Sequence, residues 1–214
     1  MQAGLDAALI VVVLTCLNLL GSSRVRHCIK LLAFQGVALG LLPLFELGVL
    51  TAPSTVFFVA VGIALRGMAF PWLLMRAQKQ ANVRREVEPY VGFGSSLLFG
   101  ALALLLSAWL SIRLPLPHPP PSPLALPVAL FCGLVGLFLT ISRRKAINQA
   151  LGYLVLENGI FAFGVMLVHG QPMLVELGVL LDVFGALFVM GIAIFHISRE
   201  FDHIDADRLA VLKD

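Results

Sequence analysis

Apolar runs of about 20 residues, long enough to cross a ~30 Å hydrocarbon core as helices, recur along this chain between short polar breaks. Seven stand out, at roughly 4–20, 30–50, 55–75, 91–112, 124–141, 148–168 and 172–197. The pattern predicts an all-α integral membrane protein with about seven transmembrane helices.

The breaks differ in charge. Of the 15 Lys and Arg, all but Arg66 and Arg113 fall in three alternate turns and the C-terminal tail. These are Arg24, Arg26 and Lys30; Arg76, Lys79, Arg84 and Arg85; Arg143, Arg144 and Lys145; and Arg199, Arg208 and Lys213. The intervening loops, TAPST, RLPLPHPPPSPLALP and HGQP, carry Arg113 alone. The positive-inside rule then sets the N-terminus outside and the C-terminus in the cytoplasm, as an odd number of spans also requires. The first run has Asp6 and no basic residues before it, so it reads as a span that stays in place rather than a cleaved leader.

Successive prolines exclude a helix from PLPHPPPSPLALP, since each removes a donor and clashes with the preceding turn. Residues 115–123 are therefore expected to form a stiff external linker. It divides a four-helix N-terminal part, 1–114, from a three-helix part, 124–198, which ends in a cytoplasmic tail, 199–214. In the tail, Phe201, Ile204, Leu209 and Leu212 recur at near-helical spacing and suggest one apolar face. RVRHCIKLLAFQGVALG and SRRKAINQALGYLVLENGIFAFG each run from a basic turn into a span with a polar residue within it, which hints at a duplication.

Composition agrees with this reading: 59% hydrophobic, 13% charged, mean hydropathy +0.97. A net charge of +3 and pI ≈ 9.0 would suggest nucleic acid in a soluble protein, but here the cations serve as topology signals, and no nucleic-acid partner is expected. The three cysteines, Cys16, Cys28 and Cys132, lie far apart and read as isolated thiols, and the five histidines are scattered. No P-loop, GxGxxG, HExxH or Ser-His-Asp pattern is present, so neither a metal site nor a soluble active site is expected.

Five ionisable residues fall inside spans: Glu46, Arg66, Glu157, Glu176 and Asp182. A charge at the bilayer centre costs at least ~2.5–3.5 kcal/mol, so such residues face the bundle interior, pair, or line an ion route. At ~1.5 Å per residue, Glu157 lies about 14 Å from the start of its span and Asp182 about 15 Å from the outer end of the last one, both near the midplane. Glu176 and Glu46 lie near the outer rim. Low dielectric favours a protonated carboxyl and a nearby guanidinium favours the ionised form. A carboxylate between those influences can exchange a proton. The alternative is an inert buried acid or a structural ion pair with Arg66.

The turn SRRKAINQ, the helix YLVLENG and the helix VELGVLLDVFGALFVMGIAIFHI resemble the K subunit of respiratory complex I and the C subunit of Mrp-type cation/proton antiporters. Members carry a glutamate in the second of three helices and another acid in the third. Glu157 matches the first position, and either Asp182 or Glu176 the second. Over its whole length, with four front helices and the ending ISREFDHIDADRL, the chain resembles the E component of hydrogenase-four and formate-hydrogenlyase-type membrane complexes.

The resemblance implies a multi-pass subunit of a bacterial or archaeal cytoplasmic (inner) membrane. It would sit between antiporter-like membrane subunits and the subunit that docks a [NiFe] hydrogenase module. It implies no cofactor or redox centre in this chain and no catalysis of its own. Glu157, Asp182 and Glu176 would relay protons, with Arg66 and Glu46 as charge partners, coupling redox chemistry to H⁺ or Na⁺ movement. A redox-independent Mrp-type antiporter subunit and a purely structural scaffold remain the alternative readings.

Overall fold

The computed structural model describes residues 2–43, 59–80, 90–115 and 120–167, together with Gly185 and Gly191. Six long helices make up this part: α1 (Gln2–Gly21), α2 (Val25–Gly40), α3 (Val59–Lys79), α4 (Phe93–Arg113), α5 (Ala125–Ser142) and α6 (Ala146–Leu167). Helices are the expected outcome, because a helix satisfies its backbone polar groups within one segment where no water is at hand.

Four of the six, α1, α3, α4 and α5, are long and apolar enough to cross a membrane. They coincide with the runs expected at 4–20, 55–75, 91–112 and 124–141; α5 takes in the last three residues of PLPHPPPSPLALP, because Pro127 stands in its first turn, where no N–H is needed. Helix α6 covers the run expected at 148–168 but carries Asn148, Gln149, Glu157 and Asn158 within it. Helix α2 starts at Val25, so Arg26 and Lys30 stand on its first turns rather than in a loop; long cationic stems can reach the aqueous edge from there. The second half of the run at 30–50 and nearly all of that at 172–197 lie outside the described residues, as does the tail.

Helix α3 is not uniform. Residues Ala64–Ala69 form a π-helical turn, closed by the Phe70 N–H donating to the Leu65 carbonyl, five residues back. The reason follows in the sequence: Pro71 has no N–H to give, and its ring would press on the carbonyl of Gly67 in a regular α-helix. Widening the turn by one residue accommodates the ring.

Small residues set the helix–helix distances. A Cβ added to Gly159 would lie 2.5 Å from the Gly133 nitrogen, and one on Gly152 2.5 Å from the Thr140 nitrogen, while Gly136 abuts the Leu156 backbone. These pairs step down α5 as they step up α6, fixing an antiparallel register in near backbone contact, the packing that small residues permit where apolar burial distinguishes little between protein and lipid. Gly36 and Gly40 of α2 do the same against Arg66 and Ile63 of α3.

Helix α1 buries Leu5, Leu9, Val12, Cys16 and Leu19, one stripe at helical spacing, against α2, α4 and α5. Helix α4 turns Ser96, Gly100, Ala103 and Ser107 inward and leaves Leu98, Leu102, Leu105, Trp109 and Ile112 exposed, the residue types that suit a hydrocarbon surround.

The bundle ends are sorted. At one, the Ser122 hydroxyl donates to an Asp6 carboxylate oxygen at 2.6 Å, bringing the end of the Pro-rich segment to the start of α1. At the other, the Arg143 Nη2 reaches the Leu20 carbonyl at 3.4 Å, and the Tyr90 N–H donates to the Ser142 carbonyl at 2.8 Å. The turn after α1, the approach to α4 and the turn after α5, all next to cations, therefore meet at the same end.

Candidate functional site

Glu157 stands 11 residues from the start of α6 and 10 from its end, or about 16 Å from either by the ~1.5 Å rise. Its side chain is 2% exposed, and Asn158 beside it is 4% exposed. The central depth expected from the sequence is therefore also the interior of the described bundle. Tyr153 and Phe161, one turn before and one turn after, share the face of α6 that carries Glu157.

Arg66, 2% exposed, comes from the π-helical turn of α3. Its guanidinium carbon lies 3.5 Å from the centroid of the Phe161 ring, a cation–π contact. The backbone of Arg66 is seated on Gly36: a Cβ there would come within 2.6 Å of the Arg66 carbonyl oxygen. The chain thus holds a buried cation against Phe161, the residue one turn after its central carboxylate, by a wide turn on one side and a missing side chain on the other.

A third element closes on the carboxylate. A Cβ built on Gly185 would stand 3.1 Å from the Glu157 carboxyl carbon and 3.2 Å from Oε1, and Oε2 is nearer still. Position 185 admits no side chain while the carboxylate keeps this place. Of the five ionisable residues singled out from the sequence, Glu157 and Arg66 are described, and both are buried, with Arg66 set on Phe161 one turn after Glu157. Glu46, Glu176 and Asp182 lie outside the described residues.

A second buried polar group occupies the opposite face of α6. The Gln35 Nε2 of α2 lies 3.3 Å from both the Cys16 Sγ of α1 and the Cys132 Sγ of α5. The Cys132 thiol in turn donates to the Val155 carbonyl of α6 at 3.3 Å. Two of the three cysteines are therefore not isolated, as their spacing had suggested, but meet at one amide; sequence distance says little about helices that cross side by side. Among the described residues no group of three or more metal-ligating side chains occurs.

Phe161, Gly36, Gly185 and Gln35 escaped sequence reasoning. Gly36-x-x-x-Gly40 and a proline inside an apolar run were legible as marks of close packing and of an irregular turn. Nothing in the sequence said what would lie against them.

Comparison with known proteins gives two kinds of relative. An uncharacterized protein of Mycobacterium tuberculosis (strain ATCC 25618 / H37Rv), Rv0085, is 38% identical over 193 residues, covering 88% of this chain and 86% of its own. Hydrogenase-4 component E of Escherichia coli K12 is 32% identical over 134 residues, and the proteins of that name from Escherichia coli O157:H7 and Shigella flexneri match to the same extent. The match spans 62% of this chain and 62% of the component E chains. No family model and no solved structure matches.

Proposed function

We propose that this chain, which belongs to one family with the uncharacterized mycobacterial protein Rv0085, is a membrane subunit of a hydrogenase-type complex and relays protons through buried carboxylates. Partial likeness to hydrogenase-4 component E supports the first half of that reading. The single observation that carries the second is Glu157: a carboxylate 2% exposed at the centre of a 22-residue helix, with a buried guanidinium seated on Phe161, the residue one turn further along that helix.

In this reading the subunit has no redox centre and sits in a seven-span, N-outside arrangement, between antiporter-like subunits and the one that docks a [NiFe] module. Redox chemistry elsewhere biases the proton affinity of Glu157. Arg66 supplies the fixed positive field, and its seat on Phe161 and Gly36 keeps that field in place through the cycle. Asp182, three residues before Gly185, is the proposed second station, with Glu176 and Glu46 as outer ones. The four-helix and three-helix parts and a cytoplasmic tail that docks on a partner belong to the same proposal.

The test is Glu157→Gln in the assembled complex, reconstituted in proteoliposomes, with ions translocated per electron as the readout. Glutamine keeps the shape and loses the exchangeable proton. Translocation should fall sharply while redox turnover and assembly persist. A wild-type ratio would leave Glu157 a structural residue; loss of assembly would favour a scaffold.

A further inference from the structure

Arg143, the first of the three residues between α5 and α6, is 3% exposed. Its Nη2 donates to the Leu20 carbonyl at the C-terminal end of α1, while its Nη1 is buried with no hydrogen-bond partner. No Asp or Glu among the described residues pairs with it. Among the described residues its neighbours are the Leu20 carbonyl, the Phe93 ring at 5.7 Å and the Cys28 thiol, which leave a guanidinium withdrawn from water poorly compensated. Burial accordingly pushes its pKa below the usual arginine range.

Two further buried polar atoms flank the same α5–α6 turn, at the last residue of α5 and in the first turn of α6. Ser142 and Asn148 are each 4% exposed, and the Ser142 Oγ and the Asn148 Nδ2 have no partner. The antiparallel register of α5 and α6 places Asn148 beside the Arg143–Arg144 end, and the Gln149 Nε2, donating to the Arg143 carbonyl at 2.9 Å, fixes that juxtaposition. The corner is also the N-terminal turn of α6, where the helix dipole is positive, although the Asn148 and Gln149 N–H groups already donate to the Lys145 carbonyl.

We propose that Ser142, Arg143, Asn148 and the N-terminal turn of α6 bind an oxyanion of the phosphate class. A guanidinium N–H, an amide N–H and a hydroxyl are donors suited to phosphate oxygens, and a helix N-terminus adds favourable potential. Water could fill the hydrogen bonds but not offset the charge. The position, at the end of the spans where the cationic turns meet, is the depth of lipid phosphates, so the oxyanion comes either from an anionic phospholipid headgroup or from free phosphate. This inference is independent of the proton-relay reading.

Thermal unfolding of the full chain separates the sources. In one arm, the chain in neutral detergent is titrated with inorganic phosphate at ionic strength matched with chloride. In the other, it is placed in nanodiscs of phosphatidylcholine with or without phosphatidylglycerol. A rise in the unfolding midpoint with phosphate identifies the free anion, and a rise with phosphatidylglycerol alone identifies the headgroup. Asn148→Leu leaves the Arg143–Leu20 hydrogen bond in place and removes one donor, which should weaken binding about tenfold. Arg143→Gln should abolish it, but that variant also loses its hold on α1, so Asn148→Leu decides. The proposal is overturned if neither oxyanion raises the midpoint beyond its chloride or phosphatidylcholine control, or if Asn148→Leu responds as the wild type does.

Discussion

The guanidinium carbon of Arg66 lies over the ring of Phe161, 3.5 Å from its centroid, across the α3–α6 contact. Phe161, one turn after Glu157, thereby seats the cation against α6. Phe161→Leu preserves bulk and apolarity but removes the ring quadrupole. It should cost about 1–2 kcal/mol, from a desolvated cation–π contact, measured by unfolding in detergent. Arg66→Lys should lose most of the same contact, because an ammonium is a point charge without the planar stacking surface. A Phe161→Leu chain as stable as the wild type would show that the ring contributes packing alone.

Gly185 makes a sharper prediction. Its hypothetical Cβ would meet the Glu157 carboxyl carbon at 3.1 Å, so Gly185→Ala must displace the carboxylate or the backbone that covers it. A cost of ~1–3 kcal/mol is expected for overpacking of this kind. Pairing it with the shorter Glu157→Asp should recover part of that loss, since Asp withdraws the carboxylate from the added methyl. Equal losses in the single and the double variant, read as unfolding midpoints, would argue against the contact.

The α5–α6 seam can be tested by contrast between two glycines of one helix. Gly152→Ala sets a methyl 2.5 Å from the Thr140 nitrogen, whereas Gly164 has nothing within 4 Å of its Cβ position. Gly152→Ala should destabilise by about 2 kcal/mol or more, as an overpacked site that cannot shift backbone cheaply. Gly164→Ala should be neutral or stabilise by ~0.5–1 kcal/mol through helix propensity. Denaturant unfolding of both variants gives the comparison.

Orientation is tested separately. The concentration of cations in alternate turns predicts that reporter fusions at Asp214 and within residues 115–123 give opposite signals, cytoplasmic and external respectively. Matching signals would contradict an odd number of spans between the two fusion sites.

By itself the sequence determined the helical, membrane-type character of the chain, four of its spans, the central position of Glu157 and the segregation of cations. Each of these follows from one-dimensional regularities: run length against bilayer thickness, residue count along a helix, and loop charge. Tertiary structure decided what meets what. It set Arg66 on Phe161, Gly185 on the Glu157 carboxylate, and Cys16 and Cys132 on Gln35 across the bundle. It also buried Arg143, which in sequence is one basic turn residue among several. The physical reason is that helices in an apolar surround are all oily on every side, so periodicity does not mark the inner face. Which faces join depends on where backbones can approach, and that is set by glycines and one proline whose effect appears only when a second helix is laid against them.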